Sequence, residues 1–326
     1  MTNSRIDGET VDILVTAPLP VVGAETTKGL TFHRLWEVAD AGIYLDQLGK
    51  RIRAVAAAGK LRIDGPFLDR LPHVELVANF GVGYDRVDVD AARERGVVVT
   101  NTPDVLTEEV ADLTLGLLIA AIRAIPQADA FLRRGEWARK AFPLSASLRG
   151  RTVGILGLGR IGKAVARRLE ASAVTVAYHG RSRQPDVPYR YYPSLIEMAH
   201  AVDTLVIVAP GTAETNALVD AEVLAALGPN GVLVNVARGS IIDERALIQA
   251  LKTGALLAAG LDVFADEPDV PPELIACENA VLLPHVGSGS HHTRDAMGRL
   301  VLDNIISWFD GRGPLTPVPE TPVRTR

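Results

Sequence analysis

Three polar residues with different acid–base character each follow an apolar run in the second half of the chain. They are Arg238, Glu267 and His285. In an open α/β sheet the carboxyl ends of the strands form the ligand crevice, so residues that directly follow separate strands converge there. An imidazole with an ordinary pKa of ~6.5 exchanges protons near neutral pH. Each residue alone is common as a salt-bridge partner, a turn residue or a structural histidine, but their joint occurrence predicts a catalytic site.

A glycine-rich turn precedes these residues and offers a place for a nucleotide. The apolar run Thr152–Leu156 leads into Gly157-Leu158-Gly159-Arg160-Ile161-Gly162, and a helical pattern follows. In this context Gly157 permits a tight turn, Gly159 lets the backbone approach a pyrophosphate, and Gly162 lets helix and strand pack closely. The N–H groups of the helix N-terminus then face the phosphates. The pattern predicts a dinucleotide site, and the alternative is a glycine-rich turn that binds no ligand.

The residues after the next predicted strand indicate which nucleotide binds. An NAD site places an acid about 20 residues beyond the turn, for the ribose 2′-hydroxyl. Here no acid precedes Asp186, and the loop contains Arg181, Ser182 and Arg183. Guanidinium groups match a 2′-phosphate, whereas a carboxylate would repel it. The stretch therefore favours NADP(H) over NAD(H), with a solvated basic loop as the alternative.

Alternating short apolar runs and longer amphipathic segments predict the elements that carry these residues. Strands are predicted at 11–16, 52–58, 74–80, 97–101, 152–156, 174–178, 204–209, 231–237, 256–263 and 280–284. Helices are predicted at 64–71, 88–96, 160–171, 194–201, 220–227, 243–253 and 291–310. A long helix is predicted from Leu106 to Trp137, ended or kinked at Pro126, and residues 313–326 are predicted to form an extended arm. This alternation is typical of βα units with parallel strands.

Length and composition exclude several classes of protein. The 326 residues predict roughly two domains, and 48% hydrophobic with 22% charged residues exclude a largely disordered chain. The net charge of −5 argues against general nucleic-acid binding. The single cysteine, Cys277, cannot form an intrachain disulfide and has no partners for a metal site. No signal-peptide core or membrane-length apolar run is present, which predicts a cytoplasmic protein that does not bind a membrane.

Six motifs resemble those of the D-isomer-specific 2-hydroxyacid dehydrogenases. They are the turn 157–162, NVARG (Asn235–Gly239), LDVFADEP (Leu261–Pro268), PHVGSGS (Pro284–Ser290), NFGVGYD (Asn79–Asp85) and NTPDVLTEEVADL (Asn101–Leu113). The resemblance covers nearly the whole chain and is weakest over the first 50 residues. Within the family, the RSR stretch, RRGEW (Arg133–Trp137) and HVGSGS are most similar to NADPH-dependent glyoxylate and hydroxypyruvate reductases.

The resemblance implies an α/β fold with two Rossmann-like domains. An NAD(P)-binding doubly wound parallel sheet at 102–286 is expected to be inserted into a flavodoxin-like substrate domain formed by 1–101 and 287–326. A homodimer through the cofactor domain is also expected. Trp137 has two interpretations: it reaches the substrate site of a partner subunit, or it is a buried aromatic residue at a helix end.

The resemblance also implies the roles of the site residues. His285 is expected to be the general acid, Glu267 to orient its ring and raise its pKa, and Arg238 to bind the substrate carboxylate and polarise the carbonyl. The backbone amides of Val82 and Gly83 are expected to bind the other carboxylate oxygen. Asp262 is expected to hold the nicotinamide carboxamide. The expected cofactor-binding residues are Thr107, Gly157, Gly159, Arg160, Ile161, Gly162, His179, Arg181, Ser182, Arg183, Ala209, Pro210, Thr215, Val236, Ala237, Asp262 and Gly287.

Two positions depart from the family pattern. Pro210-Gly211-Thr212 stands where many members have Pro-Leu-Thr, which predicts a looser wall on the adenine side. His179 stands where NAD-dependent members carry Asp, which again favours NADP(H).

The predicted activity is the NADPH-dependent reduction of glyoxylate, hydroxypyruvate or a related small 2-ketoacid to a D-2-hydroxyacid. One alternative is an NAD-linked dehydrogenase of the same family that acts on phosphoglycerate or another hydroxyacid, and the missing acid after Tyr178 argues against it. The other alternative is a cofactor-sensing corepressor, which would need long interaction tails, whereas only residues 311–326 follow Asp310.

Overall fold

The computed structural model describes residues 10–22 and 29–321. The chain divides into two compact units. Unit 1 is formed by Met1–Leu106 and Ser290–Arg326, and unit 2 by Thr107–Gly289. The domain boundaries predicted from the sequence, after residues 101 and 286, lie a few residues before these.

Each unit contains one sheet whose paired strands all run parallel. The strands are β1 (Val11–Val15), β2 (Leu30–Arg34), β3 (Ile52–Ala57), β4 (Leu76–Asn79), β5 (Val98–Thr100), β6 (Thr152–Leu156), β7 (Thr175–His179), β8 (Arg190–Tyr192), β9 (Thr204–Ile207), β10 (Val232–Asn235), β11 (Ala258–Leu261) and β12 (Ala280–Leu282). The order in unit 1 is β2-β1-β3-β4-β5, and the order in unit 2 is β12-β11-β10-β9-β6-β7-β8. The first order is flavodoxin-like, and the second contains the order of dinucleotide-binding sheets with one strand added. The predicted fold class, α/β with two Rossmann-like units, is confirmed.

Helices cover both faces of each sheet. They are α1 (Ala41–Leu48), α2 (Gly65–Asp69), α3 (Val89–Glu94), α4 (Thr107–Arg123), α5 (Ile125–Arg133), α6 (Arg160–Ala171), α7 (Leu195–Ala201), α8 (Ala221–Leu227), α9 (Glu244–Thr253), α10 (Pro272–Ile275) and α11 (His291–Phe309). In unit 1, α1–α3 pack on one face and α11 on the other. In unit 2, α4 and α6 pack on one face and α7–α10 on the other. Strands covered on both faces become continuous apolar runs, which is why the sequence located them well.

Capping side chains set the starts of the helices. The residues Asp64, Asp88, Asp220 and Asp243 each precede a helix and accept a hydrogen bond from an amide of its first turn. These bonds satisfy N–H groups that have no partner within the helix. The sequence predicted helices to begin at the same four residues, one position before the first helical residue.

Two edge strands and two short helices were not predicted from the sequence. The strands β2 and β8 read LTFHR and RYY, and α1 and α10 were likewise missed. Edge strands are exposed along one side and tolerate charged residues, so they lack the apolar run that identifies a central strand. The strands β5 and β12 also lie at sheet edges but have apolar sequences, so β2 and β8 were missed because their residues are charged and only partly buried.

The helical stretch predicted from Leu106 to Trp137 is divided into two helices. The backbone at Ala124 adopts a left-handed conformation with φ of 49°, and α4 and α5 meet there at a bend of 60°. Pro126 lies in the first turn of α5, where its missing N–H costs nothing. The end or kink predicted at Pro126 is therefore confirmed, and the chain turns two residues before it, at Ala124.

The described part of the Pro- and Thr-rich C-terminal segment forms the expected extended arm. Pro317 pairs with Thr100 in an antiparallel bridge, and the Val318 N–H donates to the Val99 carbonyl at 2.9 Å. The arm thus covers the exposed edge of β5. The polar N-terminal segment 1–9 and the last residues, 322–326, lie outside the described residues.

In residues 10–22 and 29–321, no single helix combines the length and hydropathy needed to cross a membrane. Among the helices that the structure describes, only α4 and α5 counted together across their bend reach those values.

Candidate active site

Glu267 and His285 form a hydrogen-bonded pair in unit 2, in the loops that follow β11 and β12. Nδ1 of His285 lies 2.8 Å from Oε2 of Glu267, so the contact expected between them is present. An ionised carboxylate only accepts hydrogen bonds, so Nδ1 carries a proton and donates it. The other ring nitrogen, Nε2, is then the one suited to exchange protons with a substrate. The His285 side chain is 48% exposed, which allows a ligand to approach it.

Opposing effects act on the Glu267 carboxyl. Burial raises its pKa, whereas the hydrogen bond and charge of His285, the N–H of Phe264 and the charge of Arg238 lower it. The Phe264 N–H donates to Oε1 at 3.1 Å, so both carboxylate oxygens are held. The lowering effects outweigh burial, and the pKa of Glu267 lies below its usual value. The carboxylate is therefore ionised at neutral pH and able to orient His285.

We expect Glu267 to stabilise the fold in a pH-dependent way. Its pKa is lower in the folded than in the unfolded chain, so its contribution is fully present above the ordinary value of 4.5 and is lost as pH falls through the lower folded value. The variant Glu267→Gln should have a lower free energy of unfolding than the parent at pH 7. Urea titrations should show this difference shrinking at pH 3, and a difference that grew towards acid pH would contradict the assignment.

His285 has an unusual backbone conformation that Asp262 supports. Its φ of 55° lies in the left-handed region, which costs a non-glycine residue about 1–2 kcal/mol. The next two amides, Val286 and Gly287, donate to the two carboxylate oxygens of Asp262 at 2.7 Å each. Asp262 is 1% exposed, and its burial raises its pKa in spite of these bonds. Asp262 and Gly287 thus fix the His285 loop, and their expected contacts with the cofactor stay predictions.

Arg238 follows β10 and is positioned by a buried asparagine. Asn235 is fully buried, donates from Nδ2 to the Arg238 carbonyl at 2.8 Å, and accepts from the Ala237 N–H at 3.0 Å. A Cβ atom at Gly211 would lie 2.8 Å from Cγ of Arg238. The aliphatic stem of Arg238 therefore packs against Gly211 and fills the space that a larger side chain would take at this position. The wall predicted to be looser on the adenine side is closed by Arg238 at this glycine.

Gly239 joins the Arg238 loop to the Glu267 loop. A Cβ atom at Gly239 would lie 1.8 Å from the carbonyl carbon of Phe264, a distance that no side chain can occupy. The two backbones are therefore in direct contact, and Phe264 in turn donates to Glu267. This contact brings the guanidinium charge of Arg238 close enough to lower the pKa of Glu267.

The glycine-rich turn has the geometry that a dinucleotide requires. Gly157 has a φ of 95°, and a Cβ atom there would lie 2.8 Å from backbone atoms of Ala209. A Cβ atom at Gly162 would lie 2.2 Å from the Gly157 carbonyl oxygen, whereas one at Gly159 would meet nothing within 4 Å. The first and third glycines therefore serve backbone packing, and the second faces open space. Because α6 begins at Arg160, its first amides face the space beside Gly159, where the pyrophosphate is predicted to bind.

The basic loop 181–183 follows β7 and is tied to the glycine-rich turn. Its three side chains are exposed, and within the described part of the chain none of them has a hydrogen-bond or ion-pair partner. Gln184 anchors the loop: its N–H donates to the Tyr178 hydroxyl at 2.6 Å, and its side-chain amide donates to the Leu158 carbonyl at 2.7 Å. Two guanidinium groups are thus presented next to the turn.

Two side chains predicted to contact the cofactor, those of His179 and Thr215, form hydrogen bonds within the protein. The His179 ring nitrogen Nδ1 bonds to the Tyr192 carbonyl at 2.9 Å, and the His179 carbonyl accepts from the Gly157 N–H at 2.9 Å. The Thr215 hydroxyl donates to the Pro210 carbonyl at 2.8 Å. Both side chains therefore shape the loops around the turn, and their contacts with a cofactor stay predictions.

Four further residues predicted for the site are partly or largely exposed. Thr107 is the first residue of α4, and Val236 and Ala237 directly follow β10, all three being partly exposed. Trp137 is 68% exposed, so the interpretation as a buried aromatic residue is wrong for the single chain.

Val82 and Gly83 lie in unit 1, in the loop after β4. Neither N–H has a hydrogen-bond acceptor among the described residues. Both amides are therefore available as hydrogen-bond donors, and their expected contact with a substrate carboxylate stays a prediction.

Within residues 10–22 and 29–321, no group of three or more His, Cys, Asp or Glu side chains is arranged to hold a metal ion.

Comparison with known protein families identifies the family to which the chain belongs. Residues 115–287 match the NAD binding domain of the D-isomer specific 2-hydroxyacid dehydrogenases. The chain belongs to this family and is an oxidoreductase, so the resemblance read from its motifs is confirmed.

Several members of this family are similar over nearly the whole chain. A structure of the NADPH-dependent glyoxylate/hydroxypyruvate reductase SmGhrB from Sinorhizobium meliloti, in complex with NADP and malonate, has 52% identity and a TM-score of 0.92, and the match covers 97% of this chain and 98% of that one. The glyoxylate/hydroxypyruvate reductase A HPR2 of Arabidopsis thaliana is 43% identical over 95% of this chain and 99% of that protein. The hydroxyphenylpyruvate reductase of Plectranthus scutellarioides is 44% identical over the same shares.

Proposed function

We propose that this chain reduces glyoxylate, hydroxypyruvate and related small 2-ketoacids to D-2-hydroxyacids with NADPH. The observation that carries the proposal is the 2.8 Å hydrogen bond between Glu267 and His285, in the same unit as Arg238 and the glycine-rich turn. Similarity to reductases of glyoxylate and hydroxypyruvate supports the same reaction.

The chemistry of each residue fits a role in carbonyl reduction. NADPH, when bound at the glycine-rich turn, supplies the hydride. Nε2 of His285 donates a proton to the carbonyl oxygen as negative charge develops there, and Glu267 holds the ring through Nδ1 and stabilises the imidazolium. The guanidinium of Arg238 binds the substrate carboxylate and polarises the carbonyl.

The preference for NADPH rests on the loop 181–183. Arg181 and Arg183 offer a fork of N–H donors to the 2′-phosphate, and no carboxylate stands at the end of β7 to bind a free 2′-hydroxyl. The neighbour crystallised with NADP supports this preference.

Reversing one charge in this loop should change the cofactor preference. In Arg181→Glu, a carboxylate replaces a charge-assisted hydrogen bond and repels the 2′-phosphate, so the KM for NADPH should rise about 10–100-fold. The KM for NADH should stay the same or fall. The matched control is Arg149→Glu, an exposed arginine near the opposite end of β6, which should alter neither value. Equal changes for both cofactors in Arg181→Glu would contradict the assignment.

The other candidate functions are less well supported. An NAD-linked enzyme would need an acid after β7, and the first one in that stretch is Asp186. A corepressor would not need the set formed by Arg238, Glu267 and His285. The reductases with which the chain shares 43–52% identity also favour the enzyme.

A kinetic comparison tests the proposed function. The purified protein is assayed with glyoxylate, hydroxypyruvate, pyruvate and phenylpyruvate, each with NADPH and with NADH. We expect the highest kcat/KM for a small ketoacid with NADPH. A clear preference for NADH, or no ketoacid-dependent oxidation of NADPH, would overturn the proposal.

The proposal includes a homodimer formed through unit 2. Apolar side chains are exposed around the end of α5 and the segment after it: Leu132 is 55%, Trp137 68% and Leu144 102% exposed. Several large apolar side chains exposed within one short segment favour an interaction site there. In the dimer, Trp137 would reach the substrate site of the partner subunit and limit the size of the substrate.

Introducing a charge at Leu144 should disrupt this dimer. Light scattering should give the parent protein twice the chain mass of 34.8 kDa, and Leu144→Asp should shift towards the single-chain mass. A matched control is Ile275→Asp, because Ile275 is also exposed, at 62%, but lies on α10. A parent protein that ran as a single chain would contradict the dimer.

The proposal also places the protein in the cytoplasm, which cell fractionation followed by detection of the chain would test.

A further inference from the structure

The loop after β4 in unit 1 is held by its carbonyl groups. The side-chain amide of Asn79 donates to the Gly81 carbonyl at 3.2 Å and to the Gly83 carbonyl at 3.1 Å. The side-chain amide of Asn101 donates to the Val82 carbonyl at 2.9 Å. Three consecutive carbonyls are therefore bound by two asparagine side chains.

This arrangement sets the direction of the amides. In a trans peptide the carbonyl oxygen and the following N–H point to opposite sides. The Gly81 carbonyl points to Asn79, so the Val82 N–H points away from that side chain. The Val82 carbonyl points to Asn101, so the Gly83 N–H points away from it. The two amides that lack acceptors among the described residues are thus aimed away from their asparagine supports.

Asn79 and the loop that it holds are themselves fixed by the ends of β4 and β5. Asn79 is the last residue of β4 and is 8% exposed. Thr102 is fully buried and bonds Gly81 in both directions: the Gly81 N–H donates to the Thr102 hydroxyl at 3.1 Å, and the Thr102 N–H donates to the Gly81 carbonyl at 3.0 Å. The ends of β4 and β5 therefore form a rigid base for the loop.

We propose that Asn79 and Asn101 are positioning residues, which hold the Val82 and Gly83 amides in the direction that a substrate carboxylate requires; this role rests on the proposed ketoacid reduction. Amides that are already oriented lose no conformational freedom when an anion binds, so their hydrogen bonds contribute fully to binding. Without the asparagines the peptide units can rotate, and the carbonyl oxygens can turn towards the anion and repel it.

The unit 2 residue Asn279 provides a matched control. Its side-chain amide also bridges two carbonyls, those of Leu251 and Leu257, at 3.2 Å each. Asn279→Ala therefore removes the same pair of bonds as Asn79→Ala, but at a place that carries no predicted site residue. Any loss of activity caused by general destabilisation should appear in both variants.

The experiment measures steady-state kinetics, the NADPH dissociation constant and the melting temperature of the full-length variants Asn79→Ala, Asn101→Ala, Asn101→Gln and Asn279→Ala. We expect the KM for glyoxylate to rise about tenfold or more in Asn79→Ala and Asn101→Ala, with kcat and NADPH binding close to those of the parent. Asn101→Gln keeps the donor and should recover part of the loss. Asn279→Ala should lower the melting temperature but not raise KM.

The outcomes separate the two proposals. A parent protein that reduces no ketoacid means that the proposed function is wrong. The positioning role is wrong if the parent is active and Asn79→Ala and Asn101→Ala keep the KM of the parent. It is also wrong if kcat falls in these two variants and falls by the same factor in Asn279→Ala. Should Asn79→Ala fail to fold, the pair Asn101→Ala and Asn101→Gln decides, because Asn101 is less buried.

Discussion

The variant His285→Ala should lose about 10²–10⁴-fold in kcat for ketoacid reduction, because positioned general acids contribute rate enhancements of this size. Its dissociation constant for NADPH should remain that of the parent, since the glycine-rich turn and the basic loop are built from other residues. Single-turnover kinetics and NADPH fluorescence titration measure the two quantities separately.

A second histidine provides a control that shows whether the loss of turnover is specific to His285. His200 is an exposed histidine on α7 of the same unit, and His200→Ala should retain the turnover of the parent. The variant Glu267→Gln should reduce kcat less than His285→Ala, because the glutamine carbonyl can still accept from Nδ1. Near-normal turnover in His285→Ala would refute the assignment of the general acid.

The second large effect is expected at the third glycine of the turn. In Gly162→Ala the new Cβ atom would lie 2.2 Å from the Gly157 carbonyl oxygen, so α6 must move away from β6. A displaced helix N-terminus loses its charge-assisted hydrogen bonds to the pyrophosphate, so the NADPH dissociation constant should rise about 10–100-fold. Overpacking should also lower the free energy of unfolding by about 1–3 kcal/mol.

Two further alanine variants separate the effect on NADPH binding from the effect on the free energy of unfolding. At Gly159 the added methyl group meets nothing within 4 Å of the protein, so Gly159→Ala should keep the stability of the parent and weaken only NADPH binding. At Gly116, within α4, the methyl group is also unobstructed, and Gly116→Ala should change neither binding nor fold. Wild-type NADPH affinity in Gly162→Ala would show that the turn does not hold the cofactor.

The central strands and the site residues that follow them could be predicted because one physical cause sets both. A strand buried on both faces must be apolar throughout, and a polar residue at its carboxyl end then stands out. This is how Arg238 and His285 were found. The edge strands β2 and β8 could not be found in the same way, because one side of each is exposed and their sequences are polar.

The residues that position the site were missed for a different reason. Asn79, Asn235 and Gln184 act through hydrogen bonds to backbone carbonyls, and such bonds depend on where a loop folds back. Asn79 and Asn235 share one signal that could have identified them: each is the last residue of a buried strand and is itself buried. Gln184 carries no such signal, because its partner Leu158 lies 26 positions away in sequence.

Asp262 also has a structural role that the family resemblance did not predict. The motif LDVFADEP implied a contact with the nicotinamide, which stays a prediction, and the structure adds that both carboxylate oxygens accept from the amides that follow His285. The left-handed backbone of His285 could not be predicted from the sequence, since histidine is enriched at such positions but still adopts this conformation only rarely. Only the folded chain reveals that this strained position is stabilised by a buried acid.

The most direct test of the central claim is chiral analysis of the product formed from hydroxypyruvate and NADPH. The product is separated on a chiral column after a measured amount of NADPH has been consumed. We expect D-glycerate, with one molecule formed for each NADPH oxidised. L-Glycerate as the product, or no glycerate at all, would contradict it.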